Sequence, residues 1–202
     1  MMTNGVESQL ERIQQIHSEL CAKIQGEFKD DARTMLLIAY TELVFEHHRG
    51  ISQLVGNGLY GSAFALVRPL FEAFFRCHWM LKCATDGEAE EIATSDSFEF
   101  PKLRPMVEQI DKAYEAKGFF SDFLQGDAVK AMHSFTHGGL RALSRRFKGL
   151  NVEPDYRESE ILEVLNATTV AILLMTKLFL LATDRQQEAE AVEDLAVEFG
   201  SS

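Results

Sequence analysis

The sequence predicts an all-α fold, a single-domain bundle of about six or seven helices, and three observations carry that expectation. Apolar residues recur every three or four positions along most of the chain. Ala, Leu, Glu and Phe are abundant while runs of β-branched residues are few. Only 4 prolines interrupt 202 residues, a length that suits one domain with a sizeable core spanning residues 1–202.

Taken in order, Leu10, Ile13, Ile16, Leu20 and Ile24 mark an amphipathic helix from Val6 to Phe28, which together with the C-terminal segment 184–202 is expected to be peripheral. Asp30 or Asp31 caps a second helix from Ala32 to Val55, carried by Leu36, Leu37, Tyr40, Leu43, Val44 and Ile51 and stopped at Gly56-Asn57-Gly58. The third, Gly61 to Leu81, is apolar on nearly every face, as a helix buried inside a bundle is. Pro69 lies within it, so a kink is expected, with carbonyls near Val67 and Arg68 freed to seek partners. A weaker acidic turn follows over Glu88 to Ala93, then a loop at Thr94 to Ser97. Pro101 and Pro105 sit just ahead of the pattern Met106, Val107, Ile110 and Tyr114.

Phe119 to Leu124 is short and aromatic, and Asp127 can cap a segment from Ala128 that holds Met132, His133, Phe135 and His137. Gly138-Gly139 closes it. Past a basic cluster and a turn at Gly149 to Asp155, Ser159 to Thr183 forms a second strongly apolar helix, and Asp184 is read as the cap of a last acidic helix ending at Phe199. The most apolar part of the chain, Ala167 to Thr183, carries Lys177 near its middle; it reads as a buried bundle helix rather than a membrane span.

A formal net charge of −11 argues against a broad surface for DNA or RNA, though a local basic cleft is compatible with it. Cys21, Cys77 and Cys83 form an odd set without CxxC spacing, which suggests neither a disulfide framework nor a thiolate zinc site and fits the reducing cytoplasm. Met1 to Gly5 lacks the basic and apolar regions of a secretory signal.

Three groups of residues bear chemistry. Arg68, Glu72 and Arg76 fall at i, i+4 and i+8, one stripe on the apolar third helix. In one reading Glu72 holds both guanidinium groups while they grip a phosphate or carboxylate; in the other the three are surface ion pairs. His133 and His137 share a helical face at a spacing that metal sites use, with Glu72 or His47-His48 to complete a ligand set; alternatively they serve acid/base chemistry, contact an anion or simply pack. Arg141, Arg145, Arg146 and Lys148 form either a wall of an anion-binding cleft or a solvated face. His78 and Trp79 read as core, with Trp79 close enough to the stripe to stack on a guanidinium. No cofactor is implied, and metal binding is left open.

At Arg68-Pro69-Leu70-Phe71-Glu72-Ala73 and Phe135-Thr136-His137-Gly138-Gly139 the chain resembles a group of uncharacterised bacterial all-α proteins, which pair a central Arg-x-x-x-Glu helix with a later His-containing helix ending in Gly-Gly. More distantly it resembles the HEPN superfamily of helical bundles. That resemblance implies a setting in toxin–antitoxin or antiphage defence systems, with a cognate protein partner and metal-independent RNase activity. Such nucleases place an Arg four to six residues before a His on a late helix. Here the match is Arg12 to His17 on the first helix, with Ile13 where a polar residue is expected.

Two functions follow. The first is a binding or interaction module that takes RNA or a small anionic ligand on Arg68, Arg76, Arg141 and Arg145. The second is a phosphoester-acting enzyme in which Arg68 and Arg76 stabilise charge, His133 or His137 moves the proton and Glu72 orients them. Amphipathic end helices also make a homodimer an expectation.

Overall fold

In the computed structural model, which describes residues 3–125 and 134–200, the fold is all-α: helix makes up 75% of it, with almost no strand. Helix α1 (Asn4–Lys23) starts at Thr3, whose hydroxyl accepts from the Val6 amide, and buries Val6, Ile13, Ile16 and Leu20. It stops five residues short of the Phe28 expected from periodicity.

Helix α2 (Ala32–Gly56) is capped by Asp31, whose carboxylate takes the Thr34 amide at 2.9 Å and its hydroxyl at 2.8 Å. A three-residue connection returns the chain into α3 (Tyr60–Lys82), antiparallel to α2 and in close contact with it at Gly50 and Leu66. A Cβ at Gly50 would lie 3.2 Å from Leu66 Cδ1, so that side chain packs closely on the α2 backbone there. Arg33 at the start of α2 donates to the Met80 and Ala84 carbonyls at 2.5 and 2.6 Å, filling the C-terminal end of α3, and bonds Asp86 at 3.0 Å in the first turn of α4 (Asp86–Thr94). Thr85 and Glu88 close a reciprocal capping box on α4.

Helix α5 (Leu103–Ala113) packs on α3, joined by the Trp79 indole N–H donating to Gln109 Oε1 at 2.6 Å. Buried Asp111 accepts the Phe120 and Ser121 amides at 2.9 Å each and so fixes the start of α6 (Phe119–Leu124). Phe71, Phe74, Phe75, Phe120 and His78 form an aromatic core between α3 and α6.

After the short helix α7 (Leu140–Ser144), the end of the basic cluster and the start of the expected turn make a two-stranded antiparallel hairpin, β1 (Phe147–Lys148) with β2 (Asn151–Val152), turning at Gly149 with φ +63°. Arg145 clamps this arm to α8 (Glu158–Ala182) through Glu160 and the Asp155 carbonyl. Helix α8 is long and apolar enough to cross a membrane by composition, with a mean hydropathy of 1.9, yet 67% of that stretch is buried within the bundle. Its Lys177 meets Glu193 of α9 (Gln186–Gly200) at 2.8 Å.

Asp184 does not cap α9. It takes a left-handed turn, φ +61°, and Arg185 occupies the junction instead, bonding Glu188 through two 2.7 Å contacts and the Lys23 carbonyl of α1 at 2.5 Å.

Candidate functional site

The one proline in α3 organises the site. A residue at position 69 with an N–H would bond the carbonyl four residues back, so the group Pro69 frees is the Ala65 carbonyl, not those of Val67 and Arg68. The Thr136 hydroxyl reaches that carbonyl at 3.4 Å. Phe135 packs edge-on against Phe64 of α3, with ring centroids 5.0 Å apart. The turn after it is tight: Gly138 has φ +63°, the Gly139 amide donates to the Ser134 carbonyl at 2.7 Å, and a Cβ on Gly139 would press on Ser134.

This docking brings His137 to α3, where Arg68 Nη1 lies 3.0 Å from His137 Nε2. A guanidinium only donates, so His137 Nε2 is the acceptor and the ring proton sits on Nδ1. Arg68 Nε meets Glu72 Oε1 at 2.7 Å. Glu72 therefore aligns Arg68 and does not hold both arginines.

Arg76, one turn further on, has a different neighbour. Its guanidinium lies 4.8 Å above the centre of the Phe100 ring, and among the described residues it makes no hydrogen bond or ion pair. Phe100, rather than Trp79, is the ring that meets the stripe; Trp79 stands behind Phe100, edge-on at 5.9 Å, and Phe98 meets Phe100 edge-on at 5.0 Å.

Arg68, Glu72, Arg76, Phe98 and Phe100 line a cleft of about 690 Å³ between α2, α3, α4, the 95–102 connection and the start of α5. Three cations, Arg68, Arg76 and Lys102, and two carboxylates, Glu72 and Asp96, line it, a local excess of positive charge in an acidic protein. Tyr40 of α2 contributes a hydroxyl whose pKa is raised by burial; it has no protein partner among the described residues and is not sealed from solvent. It is thus protonated and able to donate to a ligand.

Of the residues singled out from sequence, Arg68, Glu72 and Arg76 line the cleft, and His137 touches Arg68 from just outside its lining. His133 lies outside the described residues. Arg145 is bound to Glu160, and Arg141 is exposed on α7, so neither lines the cleft. His48 does not complete a metal set with His137; it is buried against α8 and contacts His17. Among the described residues no group of three or more His, Cys, Asp or Glu is arranged to hold a metal ion. The Arg12 and His17 of the HEPN-type spacing diverge: Arg12 lies 4.8 Å over Phe199, while His17 turns to His48. Cys77 is a buried thiol, its pKa pushed up by burial.

From sequence Tyr40 is only part of a helical pattern, and Phe98, Phe100 and Lys102 are not singled out as site residues. The spacing Phe98-x-Phe100-Pro101-Lys102 was the available signal, two aromatics and a cation in a short irregular connection.

Residues 41–202 match a family of unknown function, DUF6988. The chain belongs to that family. The DUF6988 match begins one residue after Tyr40 and takes in all the other cleft residues, while α1 lies outside it. No curated protein and no solved structure matches the chain.

Proposed function

We propose that the protein is a binding module whose cleft takes a small anionic ligand with a planar body, an aryl or nucleobase-like group bearing a phosphate or carboxylate. The observation that carries this reading is Arg76: a partly buried guanidinium, backed by Phe100, whose donors no acceptor among the described residues uses. A planar donor fork of that kind suits phosphate and carboxylate. The Tyr40 hydroxyl and Lys102 add donors, and the Phe98–Phe100 pair offers a surface for a flat group.

Calorimetric titration with phenyl phosphate tests this. Saturable binding tighter than that of inorganic phosphate, abolished in Arg76→Gln, is expected; absence of saturable phenyl phosphate binding overturns the reading.

The Arg68–His137 contact favours a second reading, a metal-independent phosphoester-acting enzyme of the HEPN-like kind. A neutral imidazole with its Nε2 lone pair beside a guanidinium is a base next to a cation, as cleavage at a 2′-hydroxyl requires. Incubation with labelled RNA, with and without divalent metal, decides it: cleavage lost in His137→Ala supports this reading, and intact RNA from the folded wild-type protein ends it. Relief of growth arrest in the same variant would place it in a toxin–antitoxin or antiphage setting.

A further inference from the structure

A second cleft, of about 610 Å³, opens between α1 and α2 and is lined by Leu10, Ile13, His17, Cys21, Arg49 and Ser52 among others. At its floor, hydrogen bonds assign every proton of a buried chain. Thr169 of α8 donates its only hydroxyl proton to the Leu165 carbonyl at 2.7 Å, so toward His48 Nε2, 3.2 Å away, it accepts. His48 therefore carries its proton on Nε2. Burial, with His17 beside it, depresses its pKa to about 3, so the ring is neutral and its Nδ1 is a lone pair. His17 Nδ1, 3.1 Å from that lone pair, must donate. The two rings are nearly parallel, 12° apart, which holds His17 in this orientation.

The remaining nitrogen, His17 Nε2, has no hydrogen-bond partner among the described residues. It is not one of the sealed unpartnered atoms either, which among those residues are His78 Nε2 and Tyr156 Oη. It thus opens on the cleft. Burial and the nearby Arg49 lower the His17 pKa, so at neutral pH this atom accepts and does not donate.

We infer that this cleft is a second ligand site, which takes a small neutral molecule with an apolar body and one hydroxyl or N–H donor, seated on His17 Nε2. Leu10 and Ile13 receive the body, and the chain His17, His48, Thr169 presets the acceptor without any rearrangement on binding. His48 and Thr169 are positioning residues. His48 borders the cleft but has both ring nitrogens engaged, Thr169 lies behind it, and together they decide which nitrogen of His17 faces a ligand. The site stands apart from the Arg76 cleft and does not depend on the function proposed for it.

Phenol and toluene, matched in shape and differing in the donor, test this by ¹⁵N-detected NMR. The free protein should show His17 protonated at Nδ1 and bare at Nε2. Phenol should bind saturably, shift the Nε2 resonance, and bind roughly tenfold more tightly than toluene, the worth of about one hydrogen bond. His17→Asn keeps a donor for His48 Nδ1 and removes the acceptor at the Nε2 position; in it the preference should fall to near unity. Thr169→Val should let His48 exchange tautomers and cut the preference while toluene binding stays. An Nε2-protonated His17, equal affinity for the two probes, no saturable binding of phenol, or a preference that survives in folded His17→Asn would each overturn the assignment.

Discussion

Arg68 and His137, 69 positions apart in the chain, meet at 3.0 Å because Pro69 leaves a carbonyl on α3 that the residue before His137 reaches. The contact needs an unprotonated Nε2, so solution NMR should find His137 as the Nδ1–H tautomer, and Arg68→Ala should release it to exchange. Arg68 and Glu72 are each about one-third exposed, so losing their pair should cost under about 1 kcal/mol of stability.

Pro69→Ala restores an N–H to the middle of α3, where it would bond the Ala65 carbonyl. Helix stability should rise by about 1 to 3 kcal/mol, seen as a higher melting temperature and slower amide exchange around residue 69. Thr136 then loses its acceptor, and the Arg68–His137 coupling should weaken in the same variant. A stabilised protein with that coupling intact would contradict this account of the docking.

Phe100→Leu keeps an apolar side chain but removes the ring beneath Arg76. Affinity for phenyl phosphate should drop at least about fivefold, since a partly desolvated cation–π contact is worth about 1 kcal/mol or more. Thermal stability should fall as well, because Trp79 and Phe98 both pack on that ring.

Acid should unfold the protein early. His48 and His78 are held neutral with pKa values of about 3, chiefly by burial, against an ordinary value of 6.5. Between those limits the unfolded chain binds protons that the folded chain refuses, so stability is complete above pH 6.5 and is lost as pH falls below it. Each histidine contributes up to about 1.4 kcal/mol per pH unit across that window. Urea unfolding at pH 7 and pH 5 should show the loss, and substituting His48 should shrink it.

Glu160→Gln should loosen the hairpin arm. Glu160 joins Arg145, Arg157 and the Arg157 amide at the start of α8, and these contacts hold its carboxyl below the usual range against the opposing effect of burial. A stability loss of about 1 kcal/mol is expected, with faster amide exchange in β1 and β2.

The helices were legible in the sequence because their periods and caps are local: the apolar faces of α2, α3 and α8 and the Asp31 cap need no knowledge of the fold. The Arg68, Glu72, Arg76 stripe was legible for the same reason, since i, i+4 spacing fixes a face. Which guanidinium Glu72 would take was not, because that depends on Phe100, 24 positions beyond Arg76 and in an irregular connection. The His17–His48 chain was equally hidden, since three helices meet there and none of their patterns marks it.

Arg33 grips the Met80 carbonyl in the last turn of α3, the Ala84 carbonyl just past it and the first turn of α4 with one side chain. Two walls of the Arg76 cleft are thereby pinned at their shared corner, and the 83–85 junction is a poor hinge. A guest therefore meets a seat whose α3 and α4 walls are set before it arrives.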